Sequence, residues 1–149
     1  KLASGVAWEN LERAIAPFRA RVRGFILPKT LEYLKRSGRV SGLEHFVGSL
    51  LNILPVLEIQ EGLVNPVARV HGFQRGLEQL VRHFFDDFPE GARLTLAHAE
   101  NLEAVKELAH RVRHEGVVLD EMRPVGAALL THAGPGTVAL FAAPHKNHQ

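Results

Sequence analysis

The hydrophobic positions of the chain form two kinds of pattern, helical spacings of three and four residues and short apolar runs. Each change from one pattern to the other marks the boundary of a predicted element. Spacings of three and four residues place apolar side chains on one face of an α-helix. Helices are predicted over residues 8–22, 31–37, 43–51, 73–88 and 101–113. Short apolar runs bounded by turn residues predict strands over residues 24–27, 55–59, 63–70, 93–98, 117–122 and 138–142.

Local signals define several of these boundaries. Pro17 lies inside the first helical segment and predicts a kink or a break there. Thr30 can cap the second helix, and Ser41 with Glu44 forms an S-x-x-E capping box for the third. Residues 60–62, QEG, predict a hairpin between two strands. This order of elements predicts the α+β class, with a mixed or antiparallel sheet backed by helices.

Composition limits the class of protein. Of the 149 residues, 46% are hydrophobic, so residues 1–149 can bury one core as a single domain. The chain has no cysteine, which excludes disulfides, thiolate metal sites and cysteine nucleophiles. No apolar run approaches the ~20 residues of a membrane span, and no signal peptide is evident, so we expect a cytoplasmic protein without integral membrane association. Lys1 stands where an initiator methionine is expected, which suggests a processed product or a fragment.

The net charge of +2 is unevenly distributed. Residues 13–39 contain eight basic residues and one acidic residue, whereas residues 76–121 contain ten acidic and five basic residues. This asymmetry suits an anionic ligand or an acidic partner surface, and it equally suits a solvated basic helix face. The low aromatic content argues against nucleic-acid binding.

Few patterns point to catalysis or to metal binding. His110 and His114 lie one helical turn apart and could present two nitrogens to zinc, but no third ligand is evident and no metal site is predicted. The sequence has neither a nucleotide-binding P-loop nor a G-x-S-x-G nucleophile elbow.

The most informative local pattern is THAGPGT at residues 131–137, directly before the last predicted strand. Pro135 restricts φ, while Gly134 and Gly136 accept backbone angles closed to other residues and allow close approach to a ligand. We therefore predict that the turn holds His132 at the edge of the sheet, where its ring can bind a carboxylate. From the residues alone, a buried histidine with internal hydrogen bonds is the simpler interpretation.

Several stretches resemble the DegV fatty-acid-binding proteins. Residues 31–40, LEYLKRSGRV, are similar to the L-x-Y-L-x-R-x-G-R-[IV] segment of that family. The resemblance continues through residues 48–57, GSLLNILPVL, and 61–67, EGLVNPV, and closes with the histidine and the Gly-Pro-Gly turn. Leu54 and His71 depart from the lysine and the arginine that are common in the family.

This resemblance implies the C-terminal domain of the DegV-type two-domain fold, with the N-terminal domain absent from this chain. Members of the family carry long-chain fatty acids in bacteria, and some present the lipid to a fatty acid kinase that forms the acyl phosphate. By resemblance the chain is a lipid-binding carrier and not an enzyme. Its ligand is a fatty acid, and no cofactor is expected.

The same resemblance implies roles for particular residues. His132 would contact the carboxylate, Arg39 would lie near the carboxylate end of the tunnel, and Arg36 and Arg69 would belong to a basic surface that docks the kinase. By this resemblance the almost continuously apolar residues 46–57 form a natural groove wall, whereas from the residues alone ordinary core is the favoured interpretation. The predicted ligand contacts are His132, Arg39, Gly134, Gly136, Phe46, Leu50 and Ile53.

Two other functions stay open at this point. One is a substrate subunit like that of dihydroxyacetone kinase, which uses a histidine on a small carbonyl compound but needs no long apolar wall. The other is a fragment with a structural or docking role only. Because one half of the site is expected to be absent, an exposed apolar patch and a homodimer of the fragment are also predicted.

Overall fold

The computed structural model describes residues 7–38 and 52–145. A 3-10 turn, Trp8–Asn10, leads into the first helix. The elements follow in the order α1 (Leu11–Arg19), β1 (Arg23–Leu27), α2 (Glu32–Ser37), β2 (Ile53–Gln60), β3 (Leu63–His71), α3 (Phe73–Asp87), β4 (Arg93–His98), α4 (Leu102–Arg111), β5 (Val118–Pro124), α5 (Ala127–Ala133) and β6 (Val138–Ala143).

The strands form one six-stranded sheet in the order β3-β2-β1-β6-β4-β5. All neighbouring pairs are antiparallel except β4 and β5, which run parallel. The sheet is therefore mixed, and the predicted α+β class is confirmed. The predicted hairpin joins β2 to β3 through Glu61 and Gly62, whose positive φ angles of 50° and 84° suit a two-residue hairpin turn.

Alternation along the strands separates two apolar layers. Phe25 and Leu27 of β1 point into the larger core, which α3 and α4 cover with Leu77, Leu80 and Leu108. Ile26, between them in sequence, belongs to a smaller cluster. That cluster also contains Leu34 of α2, Leu57, Ala97 and Ala139, with Leu129 of α5 packed against it. We call this second side of the sheet the α2/α5 face.

Some boundaries differ from those predicted. Pro17 lies near the end of α1, which continues only to Arg19, so no separate second helix forms there. β5 extends to Pro124 because its parallel pairing with β4 continues as far as His98. Residues 127–133, for which no element was predicted, form α5. The predicted capping box at residues 41–44 and its helix lie outside the described residues.

The first helix is amphipathic as predicted, but its apolar side chains are not buried against the described residues. Trp8 is 73% exposed and Phe18 is 43% exposed, and Ile15 is also exposed. The described helices include none with the length and the apolar character needed to cross a lipid bilayer.

Candidate functional site

His132 lies in the last turn of α5, a helix that was not predicted, directly before the Gly-Pro-Gly turn that was expected to hold it. The chain leaves β5 at Pro124, forms α5 and enters β6 at Val138, so this helix lies at one end of the sheet. Leu129, three residues before His132, is on the same side of the helix and packs against the α2/α5 face. The histidine is thus positioned by helix packing.

The Nδ1 atom of His132 is buried and has no hydrogen-bond partner. Most buried polar groups in proteins have one, and leaving a buried group unpaired costs about 1–3 kcal/mol. The simpler sequence interpretation, a histidine satisfied by internal hydrogen bonds, does not hold for this nitrogen. An orphaned donor or acceptor beside an apolar cluster is a candidate anchor for the polar end of a ligand.

The two glycines of the turn are in close contact with other parts of the protein. Both have a φ of 81°. A Cβ atom on Gly134 would overlap the ring of Tyr33, and one on Gly136 would lie 2.7 Å from Cβ of Lys29. The Gly134 amide donates to the carbonyl of Leu130 at 2.9 Å, and the Gly136 amide donates to that of Ala99 at 2.6 Å.

These contacts change the physical reason for the two glycines. Their missing side chains let the turn pack tightly against the side chains of Tyr33 and Lys29. Since both amides already bond to carbonyl groups of the chain, neither offers a donor to a ligand. Their predicted contact with a ligand stays a prediction.

The other predicted site residues lie in different places. Ile53 begins β2 opposite His71, and Arg69 of β3 lies opposite Pro55, so both are at the His132 end of the sheet. Arg36 is exposed on α2 and forms an ion pair with Glu32, with 2.6 Å between the guanidinium and the carboxylate. Arg39, Phe46 and Leu50 lie outside the described residues.

The proposed groove wall over residues 46–57 is only partly supported. Leu54, Val56 and Leu57 are almost fully buried within the domain itself. The reason is that β2 is an inner strand with packed residues on both faces, which produces a continuous apolar run without any ligand. For these three residues the core interpretation is correct.

An open apolar surface lies on the α2/α5 face. A groove of about 540 Å³ beside α5 is lined by Thr95, Ala97, Val125, Leu129 and Phe141, with Glu121, Arg123, Pro124 and Gly126 at its rim. A second groove of about 400 Å³ lies toward α1 and is lined by Phe18, Val22, Thr95 and Phe141, with Arg93, Asp120 and residues 142–144.

Thr95 and Phe141 line both grooves, so the two adjoin. We call the combined depression the trough. It follows β4 and β6 from α5 toward α1, and each groove alone is within the roughly 300–1,000 Å³ typical of small-molecule sites. The sequence patterns predicted β4 and β6 but did not identify which of their faces stays open.

The charged residues at the trough are paired with one another. Arg93 and Asp120 form a two-pronged ion pair, with 3.0 Å from Nε to one carboxylate oxygen. This hydrogen bonding, with the charge of Asp120, raises the pKa of Arg93. Arg123 pairs with Glu121 at 3.1 Å. The trough therefore presents an apolar surface with mutually neutralised charges at its edges.

No metal centre is found among residues 7–38 and 52–145. Three histidine, aspartate or glutamate side chains do not come together there in a way that could hold an ion. Nδ1 of His114 lies 2.7 Å from the carbonyl oxygen of Glu115, and its ring packs edge-on against Phe85. These contacts account for His114 without zinc.

Comparison with known proteins identifies the family. The model of the group described as "Uncharacterised protein, DegV family" matches residues 2–145. The chain belongs to the DegV family. The resemblance seen in the sequence is thereby confirmed, together with the fold class it implied.

Individual relatives agree with this assignment. A fatty acid-binding protein of Thermotoga maritima is 40% identical over 110 residues, which are 72% of this chain and 38% of that protein. A DegV family protein of Thermus thermophilus, described as fatty acid-binding, is 29% identical with a TM-score of 0.82, over 96% of this chain and 52% of the other.

A third solved structure shares the fold at lower sequence identity. The Streptococcus pneumoniae fatty acid kinase (Fak) B3 protein, solved with linoleic acid, has a TM-score of 0.79 over 95% of this chain and 51% of its own. At 20% identity this likeness shows the fold alone. The chain spans about half the length of the solved relatives that it matches.

Proposed function

We propose that this chain supplies one wall of a fatty-acid site in a DegV carrier. The acyl tail lies in the trough and the carboxylate binds near His132. The observation that carries this proposal is the buried, unpartnered Nδ1 of His132, one helical turn from Leu129, which lines the trough. The names of the Thermotoga and Thermus relatives support the same ligand class.

The trough and the histidine suit the two ends of a fatty acid. Burial of each methylene contributes about 0.8 kcal/mol, so the tail provides most of the affinity before the entropy of binding is subtracted. A carboxylate needs a hydrogen-bond donor. The ring of His132 can donate a hydrogen bond in both its neutral and its protonated form. A site that binds the tail by burial and the carboxylate by a hydrogen bond suits a protein that carries the acid.

We further propose that the whole protein presents the bound acid to a fatty acid kinase. The kinase system named for the Streptococcus relative supports this step. Arg36 and Arg69 are exposed and so are candidates for the docking surface. An arginine can bind two oxygens of a carboxylate or a phosphate at once, which suits a partner with acidic groups or an acyl phosphate.

The carboxylate role of His132 is tested by comparing an acid with its ester. In the protein expressed from its complete reading frame, calorimetry measures binding of hexadecanoic acid and of its methyl ester. Loss of a hydrogen bond to a charged group costs about 1.5–3 kcal/mol, so His132→Ala should weaken acid binding roughly 10- to 150-fold. The ester should lose far less, because it carries no charge.

His110→Ala serves as the matched control, since His110 is exposed on α4 outside the trough. It should leave both affinities unchanged. Equal losses of acid and ester binding in His132→Ala would remove His132 from the head-group site. No binding of either ligand by the unmodified protein would reject the proposed function.

A further inference from the structure

We infer that Gly24 and Phe141 together determine which acyl chains the trough admits. This inference rests on the proposed function and adds a specificity-determining pair to it. Neither residue was singled out by the sequence motifs. Both lie inside predicted strands, and their importance comes from the pairing of β1 with β6.

Gly24 is required for space and not for backbone conformation. It lies directly opposite Phe141 in the antiparallel pairing of β1 with β6. A Cβ atom on Gly24 would lie 2.9 Å from both Cδ1 and Cε1 of the Phe141 ring. Its φ is not in the left-handed region, so the strand itself accepts any residue. The missing side chain therefore makes room for the aromatic ring.

The position of that ring sets the shape of the trough. Phe141 lines both grooves, and so does Thr95, its partner across the pairing of β4 with β6. With the ring lying over Gly24, on the β1 side, the space above Thr95 joins one groove to the other. A ring displaced toward β4 would narrow the trough at this junction.

An added methyl group at Gly24 would push the Phe141 ring away from β1, and the strand on the other side of β6 is β4. On the β2 side, Cβ of Ile59 already lies 3.3 Å from the position of the new Cβ atom. The open direction for the ring is toward Thr95 and thus into the trough. Phe141 and Thr95 line both grooves, so a short acid can stay within the groove beside α5, whereas a long acid extends past their junction into the second groove.

The test is the chain-length preference of Gly24→Ala. Calorimetry compares hexadecanoic acid with decanoic acid in the protein expressed from its complete reading frame. Because the displaced ring overpacks the junction that only the longer acid has to pass, the affinity for hexadecanoic acid should fall about tenfold while that for decanoic acid changes less than about twofold. Phe141→Leu in the same chain should restore the affinity for hexadecanoic acid, because the displaced ring is removed.

Two controls separate this effect from a general loss of stability. Arg82→Ala, at an exposed position of α3 outside both grooves, should leave the preference unchanged. Phe141→Leu alone widens the junction. This variant should raise the affinity for a cis-unsaturated acid relative to that for hexadecanoic acid. The result can be measured even if Gly24→Ala does not fold.

Each outcome has one meaning. Equal losses for the two saturated acids in Gly24→Ala, or an unchanged preference in Phe141→Leu, would overturn the inference while leaving the carrier function in place. A parent protein that binds no fatty acid would reject the proposed function itself. Selective loss of hexadecanoic acid, with recovery in the double variant, would support the pair as the determinant.

Discussion

The buried nitrogen of His132 is unfavourable for the fold, and the proposed function gives it a partner in the ligand. Its Nδ1 atom lacks a hydrogen-bond partner, although the neighbouring Thr131 hydroxyl donates to the carbonyl of Ala127 within the same helix. A partner supplied by a ligand recovers the cost of burial. In the proposed site His132 lies at the polar end, and Leu129, Thr95 and Phe141 form the apolar part.

Arg39 has a predicted role that differs from that of His132. It follows the helix that ends at Gly38 and is expected, from the family resemblance, near the head-group end of the tunnel. Arg39→Ala should leave fatty-acid binding nearly unchanged but lower acyl phosphate formation by the kinase. The reason is that the additional negative charge appears only during phosphoryl transfer, and a contact made only then raises turnover without raising ground-state affinity.

The measurement combines lipid binding by calorimetry with the rate of acyl phosphate formation in the presence of the kinase. Arg82→Ala is the control, because Arg82 is an exposed arginine on α3 that pairs only loosely with Asp86, at 3.9 Å. If Arg39→Ala loses the lipid, yet the kinase phosphorylates the lipid that remains bound at the normal rate, the role assigned to Arg39 is wrong.

At the scale of elements, α3 and α4 are joined by a polar network around Glu107. Its carboxylate accepts hydrogen bonds from Arg111 at 2.6 and 3.2 Å and from Gln74 of α3 at 3.2 Å. These bonds, from Arg111 first and then Gln74, lower the pKa of Glu107 below its ordinary value. The network favours the charged carboxylate in the folded state.

This shift predicts a pH-dependent contribution to stability. A carboxylate with a depressed pKa stabilises the fold above its unfolded-state pKa, and the contribution is lost as the pH falls through the folded-state value. Glu107→Gln should therefore lower the free energy of unfolding at pH 7 by less than about 1 kcal/mol, since the pair is partly exposed. At pH 3 the difference from the unmodified chain should be smaller.

Urea unfolding at the two pH values measures this difference. Glu103→Gln is a suitable control on the same helix, because Glu103 is highly exposed and pairs with Lys106 at the surface. A Glu107→Gln deficit that grows on acidification would contradict the assigned direction of the pKa shift.

The helix α5 shows why some elements could not be predicted. It has seven residues, and isolated helices of that length are not stable in water. Its sequence, AALLTHA, has no charged residue and no N-terminal side-chain cap. Packing against α2, with Tyr33 over Gly134, holds it in place. A helix that depends on such tertiary contacts has little in its own sequence that predicts it.

At the scale of the whole molecule, the exposed apolar residues predict how the chain behaves alone. Trp8 and Phe18 lie on the 3-10 turn and α1, and Leu119 and Met122 lie on the edge strand β5, all of them more than a third exposed. This set replaces residues 54–57 as the expected apolar surface. Expressed alone, residues 1–149 should fold, self-associate and bind fatty acid weakly.

Light scattering over a range of concentrations tests this expectation. The unmodified chain should form a dimer or a larger assembly, and Phe18→Ser should shift it toward the monomer because it removes an exposed aromatic ring. Thr131→Ser, at an exposed position on α5, is the control and should behave like the parent. A clean monomer that binds fatty acid with micromolar or tighter affinity would contradict the prediction.

The sequence by itself determined the elements with strong local signals and the family. The hairpin at Glu61 and Gly62, the amphipathic helix α3 and the end of α2 at Gly38 were predicted correctly, because turn geometry and periodicity act within a few residues. The motif residues around Tyr33 and His132 identified the DegV family without any coordinates.

Only the tertiary structure decided where the open surface lies. A buried inner strand and a lipid-contacting wall have the same apolar sequence. The pattern of residues 54–57 favoured core, the family resemblance favoured a groove wall, and the structure buries these residues within the domain. The pairing of Gly24 with Phe141, and of Phe141 with Thr95, depends on strand register between distant segments. The physical reason is that hydrophobicity drives a side chain out of water, but the neighbours that cover it are chosen by the fold.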